Sequence, residues 1–174
     1  MAIGGGALIL AVYAGKRLRL PTGHQPSPLP SMSSLPDCLY CRQDQHLTDL
    51  MIEGDPLQVS TLCLFKEQTY RGRCLVAFHG HVNELFELAE AELARFMQDV
   101  ARAARALKTA FNPAKINYAA YADKLPHLHF HLVPKYVDGP AWRTPFTLMP
   151  DPQQRLSESA HAVLITALRQ ALGA

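Results

Sequence analysis

The chain has 174 residues, the length of one domain with room for a short appendage. Its apolar fraction of 48% and charged fraction of 18% exclude wholesale disorder and permit a core that needs no disulfide staple. The net charge of +2 is too small to argue for a nucleic-acid groove, and it is unevenly placed. Lys16, Arg17 and Arg19 lie in the first 31 residues with no acid among them; the rest of the chain sets 14 basic against 15 acidic residues, a net charge of −1.

Residues 1–15 are apolar around Gly4-Gly5-Gly6 and are followed by Lys16-Arg17-Leu18-Arg19. The stretch is shorter than the ~20 residues of a membrane-spanning helix. Its charge follows the apolar run, the reverse of a secretory signal. Pro21 to Pro36 holds five of the 13 prolines and reads as a linker or disordered tail. The expected organisation is an extension over 1–31 and a folded domain over 32–174, with no membrane association expected for the domain.

From Cys38 onward the pattern is regular. Leu50–Glu53 and Val59–Lys66 read as strands around a Gly54-Asp55-Pro56 turn, and Cys74–His79 as a third strand beyond a turn at Gly72. Cys63 and Cys74 fall in apolar runs and read as buried core thiols. Asn83–Phe111 has helical periodicity, with Leu93, Phe96, Met97, Val100, Ala104, Leu107 and Phe111 on one stripe and residues such as Asp99 mostly away from it. Asn112-Pro113 stops that helix. Ile116–Ala122 and His127–Val133 read as strands, and four prolines from Pro140 to Pro152 mark an extended segment. Ser157 is a candidate N-cap for a last helix over Glu158–Leu172, ended by Gly173. Strands joined by short turns around one long helix predict an antiparallel α+β fold.

The informative segment is Pro126-His127-Leu128-His129-Phe130-His131-Leu132-Val133-Pro134. Side chains alternate along a strand, so the three imidazoles share one face, roughly 7 Å apart, while Leu128, Phe130 and Leu132 enter the core. That spacing suits a metal site or a nucleophilic histidine beside a proton donor. A half-buried strand that happens to be polar is the bland alternative, but three of eight histidines at alternate positions speak against it. Cys38-Leu39-Tyr40-Cys41 is a second signal, and by itself it fits a metal site, a redox pair or an accident.

The triad, with Tyr70-Arg71-Gly72-Arg73 before a strand, His81 opening a helical stretch and Lys115-Ile116-Asn117-Tyr118 ahead of the triad, resembles the histidine-triad (HIT) superfamily of nucleotide hydrolases and transferases. The likeness covers roughly Cys38 to Pro140. It implies a five-stranded antiparallel sheet with one long helix and a C-terminal helix, commonly a homodimer whose two sheets join into one, in the cytoplasm. It implies that His129 attacks the α-phosphorus of a nucleotide substrate and becomes nucleotidylated, that the His127 carbonyl holds the other nitrogen of His129, and that His131 serves the leaving group. Substrates would be dinucleoside polyphosphates, nucleoside phosphoramidates or related adenylylated compounds. Bacterial relatives with a similar C-x-x-C pair imply structural zinc (Zn2+) on Cys38, Cys41, His81 and His127, with His79 the competing ligand; the chemistry itself needs no metal. His24, His46 and His161 have no expected role in the site.

The likeness weakens in places. Ala122-Asp123-Lys124-Leu125-Pro126 stands where many HIT proteins carry a Gly-Gln or Gly-Ser pair, Gly72-Arg73 replaces a Gly-His pair, and the acid or amide that commonly holds the ribose is absent near Phe65-Lys66. Asn117, Arg73 and Lys124 are the candidate phosphate contacts, although Lys and Arg are more often solvated surface. Two other readings stay open: a metallohydrolase whose three histidines hold a catalytic zinc with an open position for water, and a non-catalytic nucleotide- or zinc-binding adaptor.

Overall fold

A computed structural model describes residues 37–42, 47, 51–121 and 123–173. The expected extension over 1–31, and with it His24, lies outside the described residues, as does His46. Five strands, β1 (Met51–Pro56), β2 (Ser60–Phe65), β3 (Cys74–Phe78), β4 (Lys115–Ala119) and β5 (His129–Lys135), form one antiparallel sheet in the order β1-β2-β3-β5-β4. A short helix α1 (Leu39–Arg42) precedes the sheet, the long α2 (Glu90–Phe111) joins β3 to β4, and α3 (Glu158–Leu172) closes the chain. The α+β class, the antiparallel sheet and both helices agree with the sequence reading. Among the described residues no helix is long and apolar enough to cross a membrane.

The two faces of the sheet have different jobs. Leu62, Leu64, Cys74, Val76 and Leu132 point to the main core, where they meet Phe96, Val100, Leu107 and Phe111 of α2 and Leu164, Leu168 and Leu172 of α3. The other face carries Cys63, Phe65, Leu75 and Ala77 and is covered by Cys38 and Tyr40 from the N-terminal side. His131 pairs with Leu75 and His129 with Ala77, so the triad strand presents its imidazoles to this second face.

Three expectations move. The first hairpin does not turn at Gly54-Asp55-Pro56: β1 runs through to Pro56 with a register shift between Ile52 and Asp55, and the Leu57 amide closes the turn on the Ser60 carbonyl. Gly54 fits within the strand because a Cβ there would collide with the Leu62 carbonyl. The turn is held from afar. Asp99 of α2 is fully buried, and its carboxylate accepts hydrogen bonds from the amides of Gln58 (3.1 Å) and Val59 (2.9 Å) and the hydroxyl of Ser60 (2.7 Å). A buried carboxylate is tolerable when its lone pairs are filled in this way. So Asp99, expected away from the apolar stripe, lies inside, whereas Met97 of the expected stripe is 40% exposed.

The helical stretch is also divided. A 3-10 turn at Leu85–Glu87 is followed by extended backbone at Leu88 and Ala89 before α2 begins. The Glu87 carboxylate takes the amides of Asn83 and Glu84, which caps the start of that turn, and the Leu88 amide closes it on the Leu85 carbonyl. At the far end, Asn112 adopts the left-handed conformation (φ 47°) and returns its N–H to the Lys108 carbonyl, so the predicted stop holds. The last helix matches its caps: Ser157 accepts from the Ala160 amide, and Gly173 sits at φ 79°.

Removing the Asp99 carboxylate leaves two turn amides and a hydroxyl without their partner. Asp99→Ala is expected to cost about 3 kcal/mol in denaturant unfolding, and Asp99→Asn less, because an amide oxygen can still accept from part of the set.

Candidate active site

The histidine strand is built from main-chain constraints. His127 lies just before β5; the Leu128 amide bonds the Val82 carbonyl, and the Leu128 carbonyl accepts from Phe78. The His127 carbonyl is thereby free to turn toward its neighbour. His129 Nδ1–H donates to it at 2.6 Å, which leaves the lone pair of a neutral His129 on Nε2. His127 Nε2–H donates to the Phe78 carbonyl at 2.8 Å, so its Nδ1 is the nitrogen with a lone pair to offer.

That Nδ1 faces two sulfurs, Cys38 Sγ at 3.4 Å and Cys41 Sγ at 3.9 Å, and His81 Nδ1 lies 3.5 Å from Cys41 Sγ. One donor atom from each of Cys38, Cys41, His81 and His127 lies within 4.8 Å of the others. Tetrahedral zinc with ordinary bond lengths places sulfur and nitrogen ligands about 3.6 Å apart, so the set fits such an ion. The His127 bond to a backbone carbonyl is the outer contact a metal-binding imidazole usually has. His79 is not part of the group: it is exposed, with Nε2 3.1 Å from Thr61 Oγ1. Among the described residues this is the only such group of metal-binding side chains, and it takes in one triad histidine, not three.

The ring of Tyr40, inside the C-x-x-C turn, stacks on His127 (centroids 4.7 Å) and on His129 (5.1 Å). Sequence reasoning named the cysteines and missed the tyrosine. Its only signal was its position: a residue between two inward-facing ligands on one helical turn must cover something. Burial, with Cys63 and Cys38 nearby, raises its hydroxyl pKa well beyond the ordinary range.

His131 lies 5.1 Å from His129, ring to ring, closer than an ideal strand spacing. Phe65, Tyr121 and Phe146 surround it, and its buried Nδ1 has no hydrogen-bond partner. Burial lowers the pKa of all three imidazoles, His127 to about 4 and His131 to about 3; nearby His129 and then Arg73 add to the effect at His131. Neutral rings are therefore favoured at neutral pH.

The expected phosphate contacts separate. Asn117 is half-buried on β4, with Oδ1 unpartnered. Lys124 is exposed and lines a cavity with Cys38, Leu39 and His81, apart from Asn117 and Arg73. Arg73 is wholly buried: Nη1 is 3.0 Å from Glu67 Oε2, and the guanidinium lies 4.2 Å from the Phe65 ring centroid. A solvated surface role for Arg73 is thus excluded, because the aromatic face and the carboxylate together hold it inside. His161, expected outside the site, sits on α3, with Nε2 3.2 Å from the Lys66 carbonyl.

Residues 57–138 match the family model for the HIT domain. Over that span the chain is similar to HIT domains. Cys38 and Cys41, two of the four grouped donors, lie outside the matched span. A histidine triad protein from Bradyrhizobium japonicum is similar in structure at 25% identity, with 74% of this chain and 96% of that one aligned and a TM-score of 0.67. A histidine triad protein from Marinobacter aquaeolei gives 20% identity over 75% and 94% of the two chains, with a TM-score of 0.68. A zinc-bound histidine triad family protein from Mycobacterium smegmatis gives 22%, 77% and 94%, with a TM-score of 0.53. No curated protein matches the sequence significantly. The HIT superfamily is one of nucleotide-binding hydrolases and transferases, and the five-stranded sheet described above is the HIT fold.

Proposed function

We propose that the protein is a nucleotide hydrolase that works through a covalent nucleotidyl-His129 intermediate. The observation that carries this reading is the 2.6 Å hydrogen bond from His129 Nδ1 to the His127 carbonyl. It fixes the tautomer with Nε2 unprotonated, and burial favours the neutral, nucleophilic ring. In the first step the Nε2 lone pair forms a bond to the α-phosphorus. The bond from phosphorus to the bridging atom breaks, and its electron pair leaves with the departing group. His131, the next imidazole on that face, would hydrogen-bond the bridging atom. Water then attacks the same phosphorus, the phosphorus–nitrogen bond breaks, and its electron pair returns to Nε2.

Cys38, Cys41, His81 and His127 would hold zinc as a structural ion. Bound there, zinc would supply a cross-link between the N-terminal turn and the strand that carries His129. The zinc-bound HIT relative from Mycobacterium smegmatis supports that choice of metal. A catalytic zinc on the three histidines is disfavoured, because His127 Nδ1 faces the sulfurs and His129 Nδ1 is committed to a carbonyl. β4 is an edge strand of the sheet, which suits the expected homodimer with two joined sheets, and the domain assignment over 32–174 and a cytoplasmic location belong to the same reading.

Incubation with an α-phosphate-labelled nucleotide substrate and a quench in mild base should leave acid-labile label on the protein. His129→Ala should remove the label and lower turnover at least about a thousandfold while the protein stays folded. Full activity in His129→Ala contradicts the mechanism. Elemental analysis of protein purified without chelator should find about one zinc per chain, and Cys41→Ser should lose most of it. Metal-free wild-type protein that melts at the same temperature contradicts the structural role.

A further inference from the structure

Among the described residues, five buried side-chain atoms have no hydrogen-bond partner: Thr69 Oγ1, Arg73 Nε and Nη2, Asn117 Oδ1 and His131 Nδ1. Four of them belong to one patch of the histidine face. Leu75 pairs with His131 and Cys74 with Leu132, so Arg73, one residue earlier, stands level with Val133. Asn117 pairs with Val133 from the other side. Paired residues share a face of the sheet, and so do residues two apart on a strand. Arg73, Asn117 and His131 therefore share one face. The side chains agree with the register. The Arg73 guanidinium lies 4.2 Å from the Phe65 ring centroid and 5.7 Å from that of Phe146. The His131 ring lies against the same two phenylalanines, at 6.5 and 6.3 Å between centroids. Cation and imidazole thus share one aromatic frame.

The polar atoms in this frame are complementary. Arginine stays charged, and its nitrogens only donate. Nη1 is spent on Glu67 Oε2 at 3.0 Å, and the other Glu67 oxygen takes the Thr69 amide at 2.7 Å. Nε and Nη2 are left over in a side chain with no exposed surface, where an unanswered charged donor is costly. A neutral His131 has two tautomers. With the proton on Nδ1, the ring would set one more buried donor beside those of Arg73. With the proton on Nε2, Nδ1 carries a lone pair for them. Burial, then His129 and Arg73, lower the His131 pKa to about 3, which keeps the ring neutral. Asn117 Oδ1 is a second acceptor, on the other side of Val133.

We propose that Arg73 is a positioning residue for His131: its buried N–H groups, directly or across one bridging water, answer His131 Nδ1 and hold the proton of that ring on Nε2. His129 and His131 are then set to opposite tautomers by different means. A main-chain carbonyl keeps the proton of His129 on Nδ1, and a buried cation keeps that of His131 on Nε2. One ring offers a lone pair and the next offers an N–H. The inference rests on the nucleotidyl-transfer reading above for the use of that N–H, at the bridging atom; the tautomer itself does not depend on substrate. It also gives Arg73 a role that its complete burial allows, since a group with no exposed surface does not meet a phosphate from solution. Glu67 then serves to hold the guanidinium in the aromatic frame.

The test reads the tautomer without substrate. Long-range proton–nitrogen correlation NMR of the histidine-labelled full chain, with His131 assigned through His131→Ala, should show a bare Nδ1 and a protonated Nε2. Loss of the arginine alone would leave the buried Glu67 carboxylate unpaired, so the variant is Arg73→Met combined with Glu67→Gln. In the folded double variant His131 should become a mixture of both tautomers. Its kcat for diadenosine triphosphate should fall about tenfold, with KM changed less than about threefold. Glu67→Gln alone keeps the arginine and should keep the wild-type tautomer. Should the double variant not fold, Arg73→Lys replaces it: the single lysine nitrogen is claimed by Glu67, so the same mixture is expected. A wild-type His131 protonated on Nδ1, or an unchanged tautomer in either folded variant, overturns the proposal. An Arg73-dependent tautomer with no label on His129 overturns the nucleotidyl-transfer reading and leaves the hold of Arg73 on His131 standing.

Discussion

The hydrogen bond from His129 Nδ1–H to the His127 carbonyl is the constraint on which the site depends. A neutral histidine ring can carry its proton on either of two nitrogens until something chooses between them, and here the main chain chooses. The carbonyl is free because His127 stands ahead of the β5 ladder. His127 is itself held at both ring nitrogens, by the Phe78 carbonyl on one side and the Cys38 and Cys41 sulfurs on the other. The four-residue turn that brings those sulfurs also lays Tyr40 across His127 and His129. One short segment thus acts on the nucleophile candidate twice, through the cluster of metal-binding side chains and through ring stacking.

The rest of the fold keeps that strand in place. β5 lies between β3 and β4, so its main chain is paired on both sides. Its apolar face sits on α2 and α3, leaving the opposite face available for chemistry. The Asp99 carboxylate ties α2 to the β1–β2 turn, whose Val59 carbonyl in turn accepts from the His79 amide next to the Phe78 carbonyl that holds His127. The segment after β5 is tied back by Lys135 and Tyr70 and brings Phe146 to the His131 ring. The environments of His129 and His131 therefore differ: a directed hydrogen bond for one, an aromatic enclosure with an unpartnered nitrogen for the other.

Local signals were legible in the sequence. The cap pair Ser157 and Gly173 bounded the last helix, and Asn112-Pro113 ended the long one, because each acts on backbone within a few residues. The alternating histidines placed His129 and His131 on one face because a strand has a period of two. Features set by distant contacts were not legible. The first turn moved to Leu57–Val59 because its amides are answered by a carboxylate about forty positions away. Arg73 read as a candidate phosphate contact, with solvated surface the bland alternative, yet Glu67 and Phe65 hold it fully buried. Met97 had the helical spacing of the stripe but no neighbour to cover it fully, and Tyr40 carried no motif of its own. In each case the deciding partner comes from another element, and periodicity does not report that.

The central claim is that the main chain fixes one tautomer of His129. Long-range proton–nitrogen correlation NMR of histidine-labelled protein at neutral pH reads it directly. The structure predicts a protonated Nδ1 and an unprotonated, pyridine-like Nε2 for His129, with the assignment made by comparison with His129→Ala. A protonated Nε2 with a bare Nδ1, or a ring exchanging between the two forms as a free imidazole does, would contradict the account.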